Sequence, residues 1–311
     1  MKIAHHISCF LSLLLSIPVM GQQFCVYESK ALDAYQSQDY ISAKNYIDSA
    51  LIICKEKRAS AYTWHVKGFI EKQLFQKTKY EGDDSKNRKE SIDAFLKSLE
   101  LDTATFELQN ANRKALAFLG STYNNDAARF MDTINYKKAI ICYKKYKEVY
   151  RVAKPDFNFT QKELEYNNSL AHILFSIYDN NTKLNSSFLD ESFKYYLASL
   201  KIDSMNYSAN YNLGITYHNL GVSYIENMDD EISFEALISS QEKAVKYFVK
   251  ALPYLKRAYL LQPTVENNLT ALAAVYISLH DYESSSLYLD ELNVLKGKDE
   301  INNGTDIENR Y

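Results

Sequence analysis

Small and large apolar residues recur along the chain in one four-part pattern. In the segment DYISAKNYIDSALII, Ala43, Ile47, Ala50 and Ile53 share one helical face at i, i+4, i+7 and i+10. The same small–large–small–large stripe returns as Ser91, Phe95, Ser98, Leu101, as Ser192, Tyr196, Ser199, Ile202, and as Ala251, Leu255, Ala258, Leu261. Looser copies are Ala139, Tyr143, Tyr146, Val149 and Ser285, Leu289, Leu292, Leu295. Small residues let a neighbouring helix come close, and the large residue between them fills the groove that results. Six stripes in one chain predict a repeat of paired helices.

Each stripe is preceded by a partner helix with its own face. The clearest carries Asn210, Leu213, Gly214 and Tyr217; related faces are Trp64, Lys67, Gly68, then Leu116, Leu119, Gly120, Tyr123, and Leu269, Leu272, Ala273, Tyr276. A mid-helix glycine costs about 1 kcal/mol against alanine, so its return in one slot predicts a close backbone crossing. Composition agrees: only 8 glycines and 4 prolines among 311 residues disfavour a many-stranded β fold and a glycine-rich phosphate loop. A net charge of −3 leaves no basic footprint, so a nucleic-acid partner is not expected.

With this the chain resembles the tetratricopeptide repeat (TPR) family, whose 34-residue unit pairs a W-x₂-L-G-x₂-Y face with an A-x₃-F-x₂-A face. The best matches are Asn206 to Pro263, with an insertion, and Glu266 to Lys296. The stretch KALPYLKRAYLLQP is similar to exported TPR proteins of Bacteroidetes-type bacteria. The resemblance implies an all-α, right-handed α-solenoid of about six TPR-like helix pairs over residues 22–296. The anchors Ala43, Ser91, Ala139, Ser192, Ala251 and Ser285 stand 48, 48, 53, 59 and 34 residues apart, so most units carry extra chain. Placing the slot at 68, 120, 171 and 214 assigns most of it to lengthened connections within units, expected to form a thickened rim.

The first residues read as an address. Lys2, an apolar run from Ile7 to Met20, and small residues at Val19 and Gly21 predict a secretory signal peptide over 1–21. Export to the periplasm or cell envelope of a Gram-negative bacterium follows as the expectation. Of the four cysteines, Cys25, Cys54 and Cys142 would remain. Cys25 and Cys54 lie equally far from a helix–helix turn near 39 and 40, which places them level at the open end of a hairpin as a possible disulfide. The tail 297–311, GKDEINNGTDIENRY, has no apolar face and is expected to be disordered.

No stretch reads as a catalytic motif, phosphate loop or metal-ligand set, so no cofactor or metal is expected, nor an enzyme. His65, His172, His218 and His280 are scattered among units. First helices of TPR units line the concave face, which implies Tyr62, His65, Phe69, Phe118, Asn124, Asn125, Asn168, His172, Tyr211, Asn212, His218 and Asn219 as candidate contacts. That set is aromatic and amide-rich, suited to the backbone and apolar side chains of an extended peptide. The expected role is a scaffold for a protein or peptide partner; the alternative is a glycan-binding envelope protein built on TPR helices.

Overall fold

The computed structural model describes residues 25–78, 85–182, 185–226 and 233–308, so the address at 1–21 lies outside the described residues. Twelve α-helices and no strand are found among them: α1 (Val26–Gln36), α2 (Tyr40–Ile53), α3 (Ala61–Lys77), α4 (Lys86–Leu101), α5 (Phe106–Arg129) and α6 (Tyr136–Ala153) come first. They are followed by α7 (Thr160–Asn180), α8 (Ser186–Ile202), α9 (Tyr207–Glu226), α10 (Phe234–Leu261), α11 (Glu266–Ser278) and α12 (Tyr282–Glu308). Two compact units result, residues up to Leu116 and residues from Ala117, the division falling inside α5. Within them α1 packs on α2, α3 on α4, α7 on α8, α9 on α10 and α11 on α12, and α2 meets α3, α8 meets α9 and α10 meets α11. The class is an all-α solenoid of TPR-like helix pairs.

Local chemistry sets the boundaries. Asp39, Ser60, Ser85 and Ser233 accept the backbone N–H of Ser42, Thr63, Arg88 and Ala236, capping α2, α3, α4 and α10. Asp102, Asp132 and Asp203 accept the N–H two residues on, at 2.8, 2.8 and 2.9 Å, and turn the chain between helices. At the end of α2, Arg58 donates to the carbonyls of Leu51 and Ile52, and the Trp64 indole N–H donates to the Arg58 carbonyl. A short 3₁₀ turn, Lys55–Ala59, is thereby pinned to both neighbouring helices.

The stripe and the slot meet as their residue sizes require. A Cβ added at Gly68 would lie 2.6 Å from the Phe95 ring, and one at Gly214 would lie 2.6 Å from Leu255. Where the second-helix anchor is serine, its hydroxyl donates to the carbonyl of the slot residue. Ser91 bonds Gly68 at 2.8 Å, Ser192 bonds Ala171 at 2.7 Å and Ser285 bonds Ala273 at 3.1 Å. Gly120 is looser, with the Tyr150 ring 3.3 Å from its imagined Cβ.

Much of the extra chain is additional helix. In the α9–α10 hairpin, Gly221 stands one heptad after Gly214, and its imagined Cβ lies 2.4 Å from Phe248. Ala244 and Phe248 repeat the small–large step of Ala251 and Leu255 on the same buried face. Part of the extra chain between Gly214 and Ala251 therefore lengthens the paired interface, while 227–232 lie outside the described residues. Pro253 sits inside α10, which runs from Phe234 to Leu261 around it.

Of the tail, residues 297–308 are described as part of α12, and 309–311 lie outside the described residues. No proline interrupts the sequence after Tyr282, and a helix already nucleated by packing adds turns at little cost.

Cys25 and Cys54 are joined in a disulfide that ties the start of α1 to the end of α2, with Cα atoms 6.0 Å apart. Closing that loop contributes about 3–4 kcal/mol in the chain-entropy account. Urea denaturation of the Cys25→Ser/Cys54→Ser double variant should show a loss of this size; an unchanged midpoint would remove the disulfide from the stability of the first hairpin. A glycine series tests the slots. Gly68→Ala, Gly214→Ala and Gly221→Ala should each destabilise by about 1–3 kcal/mol through overpacking, despite alanine's higher helix propensity. Gly297, with nothing within 4 Å, should instead gain up to about 1 kcal/mol as alanine.

Candidate functional site

Apart from Asn124, the sequence-derived contact residues fall into three classes once their neighbours are known. The first is a real cluster on α3. Tyr62 and Phe69 flank His65 with ring centroids 5.9 and 4.8 Å away, and with Leu32, Tyr35 and Val66 they line a cleft of about 120 Å³. The second class is exposed: Phe118, Asn125, His172 and Asn219 lie on outward faces. Asn219 does border a broad polar depression with Asp179, Thr182 and Glu226.

The third class makes contacts within the fold. His65 Nδ1 shares a hydrogen bond of 2.7 Å with Asn112 Oδ1 on α5, and burial lowers its pKa, so the ring is neutral at pH 7. Asn168 donates to Asn206 at 2.9 Å, tying α7 to the turn before α9. His218 Nε2 lies 3.1 Å from the Ser278 hydroxyl, linking α9 to α11, and the ring packs on Phe248. Tyr211 stacks on Tyr207 and is half-buried against the α9–α11 core, and Asn212 lies beside it with its carbonyl taken by Thr216. Amides and imidazoles on a first helix thus serve as cross-links between successive pairs.

One first-helix cavity remains open. It lies between α5 and α7, measures about 280 Å³, and is lined by Asn124, Ala127, Ala128, Met131, Tyr143, Lys162, Glu165, Tyr166 and Ser169. Its floor is the Tyr143–Tyr166 stack, centroids 3.8 Å apart and planes within 6°. Lys162 and Glu165 pair at 2.8 Å on its rim. Burial raises both tyrosine pKa values, so the phenols stay protonated, and the Tyr143 hydroxyl is buried with no hydrogen-bond partner. Of this lining, the sequence-derived set contains only Asn124. Tyr143 was legible only as a core position, and Tyr166 lies off the slot pattern; room between neighbours does not show in periodicity.

The densest ionic chemistry is elsewhere, among α2, α3 and α4. Lys44 bridges Glu71 and Glu90, and Lys67 pairs with Asp48 and lies 3.8 Å from Glu71. The Glu71 side chain is closed to solvent, so a substrate has no approach to it. Among the described residues, the one grouping with metal-ligand spacing is Cys25, Cys54 and Glu56, and its two sulfurs are committed to the disulfide. No helix among the described residues is long and apolar enough to cross a membrane.

No known protein family matches the sequence, and no curated protein does. Solved structures similar in fold include a monomeric mutant of IFIT1 with m7Gppp-AAAA, at 15% identity and a TM-score of 0.33 over 86% of this chain. The chain spans 58% of that IFIT1 chain. Another is the TPR2AB domain of yeast Sti1 in complex with an HSP90 peptide, at 14% identity and a TM-score of 0.27, covering 91% of this chain and 93% of that one. The ligands in those structures are properties of those proteins.

Burial holds the Glu71 carboxyl above its ordinary value of 4.5, while Glu71 and Lys44 hold that of Glu90 below its own. A raised carboxyl means that the folded chain binds the proton more tightly than the unfolded one, so this contribution is full below pH 4.5 and fades as pH rises towards neutrality. Glu90 acts oppositely, its contribution being lost only in acid. Glu71→Gln mimics the protonated state, so its stability relative to the wild type should improve steadily between pH 5 and pH 8. A pH-independent difference in urea midpoints would show that Glu71 is ionised throughout.

Proposed function

We propose that this protein is an exported, non-catalytic binding module of the Gram-negative cell envelope, and that it holds an extended peptide or protein segment on its first-helix side. The observation that carries the reading is the cavity between α5 and α7. Its walls are the apolar surfaces of Met131, Ala127 and the Tyr166 ring; its polar groups are the Asn124 amide and the Lys162–Glu165 pair at the rim. An apolar side chain fits the interior, and an amide donates to and accepts from the adjoining peptide backbone. The signal-like start at Lys2 to Gly21 supports export. The α3 cleft of Tyr62, His65 and Phe69 offers a second apolar contact of the same kind on a first helix.

Selection from a random peptide library displayed on phage tests the reading. Enriched peptides should share an apolar anchor residue. Ser169 is exposed at the cavity edge, so Ser169→Trp fills the space without disturbing the core and should weaken the selected peptides at least tenfold. Failure to enrich any peptide, or equal affinity for the plugged variant, would move the function off this cavity.

A further inference from the structure

Three side chains of the first unit converge at the open end of the α1–α2 hairpin. Cys25 precedes α1, Cys54 follows α2, and Glu56 lies in the 3₁₀ turn Lys55–Ala59. The two sulfurs and a Glu56 carboxylate oxygen all lie within 4.8 Å of one another. Both cysteines are only partly buried and Glu56 is exposed, so solutes reach the group. While the disulfide stands, its sulfurs carry no charge to offer a cation. Reduction by a dithiol changes that: two electrons and two protons turn the bond into two thiols, and the dithiol leaves as its own disulfide.

The disulfide is not the only tie that holds these groups together. Lys57 pairs with Glu28, which joins the first turn of α1 to the 3₁₀ turn. Arg58 and Trp64 fix the same turn through the carbonyls of Leu51, Ile52 and Arg58. Ala31, Ala43 and Ile47 bury the inner face of the hairpin. With Cα atoms 6.0 Å apart, side-chain rotation is enough to part the sulfurs to the separation of about 3.8 Å that two thiolates need on one tetrahedral zinc ion. Cys25 also stands at the N-terminal end of α1, where the helix favours a thiolate over a thiol.

The donor set selects the ion. Two sulfurs exclude Mg²⁺ and Ca²⁺, which take oxygen ligands. A carboxylate in the set disfavours Cu(I), whose preferred ligands are thiolates and thioethers. Zn²⁺ takes both kinds of donor. We propose that Cys25, Cys54 and Glu56 form a zinc site that exists only in the reduced chain. The ion displaces the two thiol protons, and three protein ligands leave the fourth tetrahedral position to water. Disulfide and metal use the same two sulfurs, so each state excludes the other. Bound zinc shields the thiols from reoxidation; a small-molecule disulfide that takes up their two electrons, with two protons, re-forms the Cys25–Cys54 bond and expels the ion. The site lies wholly in the first unit and does not depend on the peptide cavity.

Titration of the full chain with Co²⁺, a spectroscopic stand-in for Zn²⁺, tests this after reduction by a phosphine in the absence of oxygen. The reduced wild type should develop a thiolate-to-cobalt charge-transfer band that saturates at one ion per chain and disappears when Zn²⁺ is added. The oxidised chain should develop none. Glu56 is exposed, so Glu56→Gln spares the core and should weaken zinc binding at least tenfold. Cys25→Ser/Cys54→Ser keeps the buried Cys142 and should show no band. If that pair fails to fold, urea denaturation decides: Zn²⁺ should raise the midpoint of the reduced wild type and leave that of the oxidised chain unchanged. The absence of a band in the reduced wild type would overturn the proposal. So would wild-type affinity in Glu56→Gln, an equal band in the double serine variant, or a reduced-chain midpoint that Zn²⁺ does not move.

Discussion

Everything in this fold depends on how near two helix backbones can come at one slot. At Gly68 and Gly214 the partner's large residue occupies the space where a side chain would begin. Where the slot is alanine, at 171 and 273, the opposing anchor is serine, and its hydroxyl takes up the slot carbonyl. A small residue on one helix and a small or hydroxylated one on the other are therefore two halves of one requirement. Packing at crystal-like density leaves little latitude there, which is why the rule survives while the rest of each repeat varies.

The variation lies in length. Helices of 20 and 28 residues, α9 and α10, pair through two successive small–large steps, whereas the 13 residues of α11 use one. Additional chain is thus absorbed by repeating the same contact a heptad further on. This keeps backbone hydrogen bonds satisfied inside the helix, where an equally long loop would have to satisfy them with water or side chains.

The pairing was legible in the sequence because size at i, i+4 and i+7 is a local property. Gly221, Ala244 and Phe248 obey the same rule, yet a fixed 34-residue period assigns them to an insertion. Polar residues were harder to place. His65 bonds Asn112, Asn168 bonds Asn206 and His218 bonds Ser278 across 47, 38 and 60 residues of sequence. Nothing local to a histidine or asparagine distinguishes a cross-link from an open contact. The Tyr143–Tyr166 stack that floors the open cavity joins a core position to one off the pattern, so its cavity emerges only from the assembled neighbours.

The disulfide between Cys25 and Cys54 gives the chain a direction. A stack of helix pairs loses structure most readily from its ends, where a pair has one neighbour instead of two. The first hairpin is locked covalently at its open end, and Lys57 pairs with Glu28 beside the lock. Among the described residues, α12 is tied back to α11 by an ion pair of 3.8 Å between Lys296 and Glu266. Reduction of a single bond would leave the first hairpin with only such ionic ties at its open end, so its resistance to fraying, and to the proteases that exploit fraying, is set by the redox state of its surroundings.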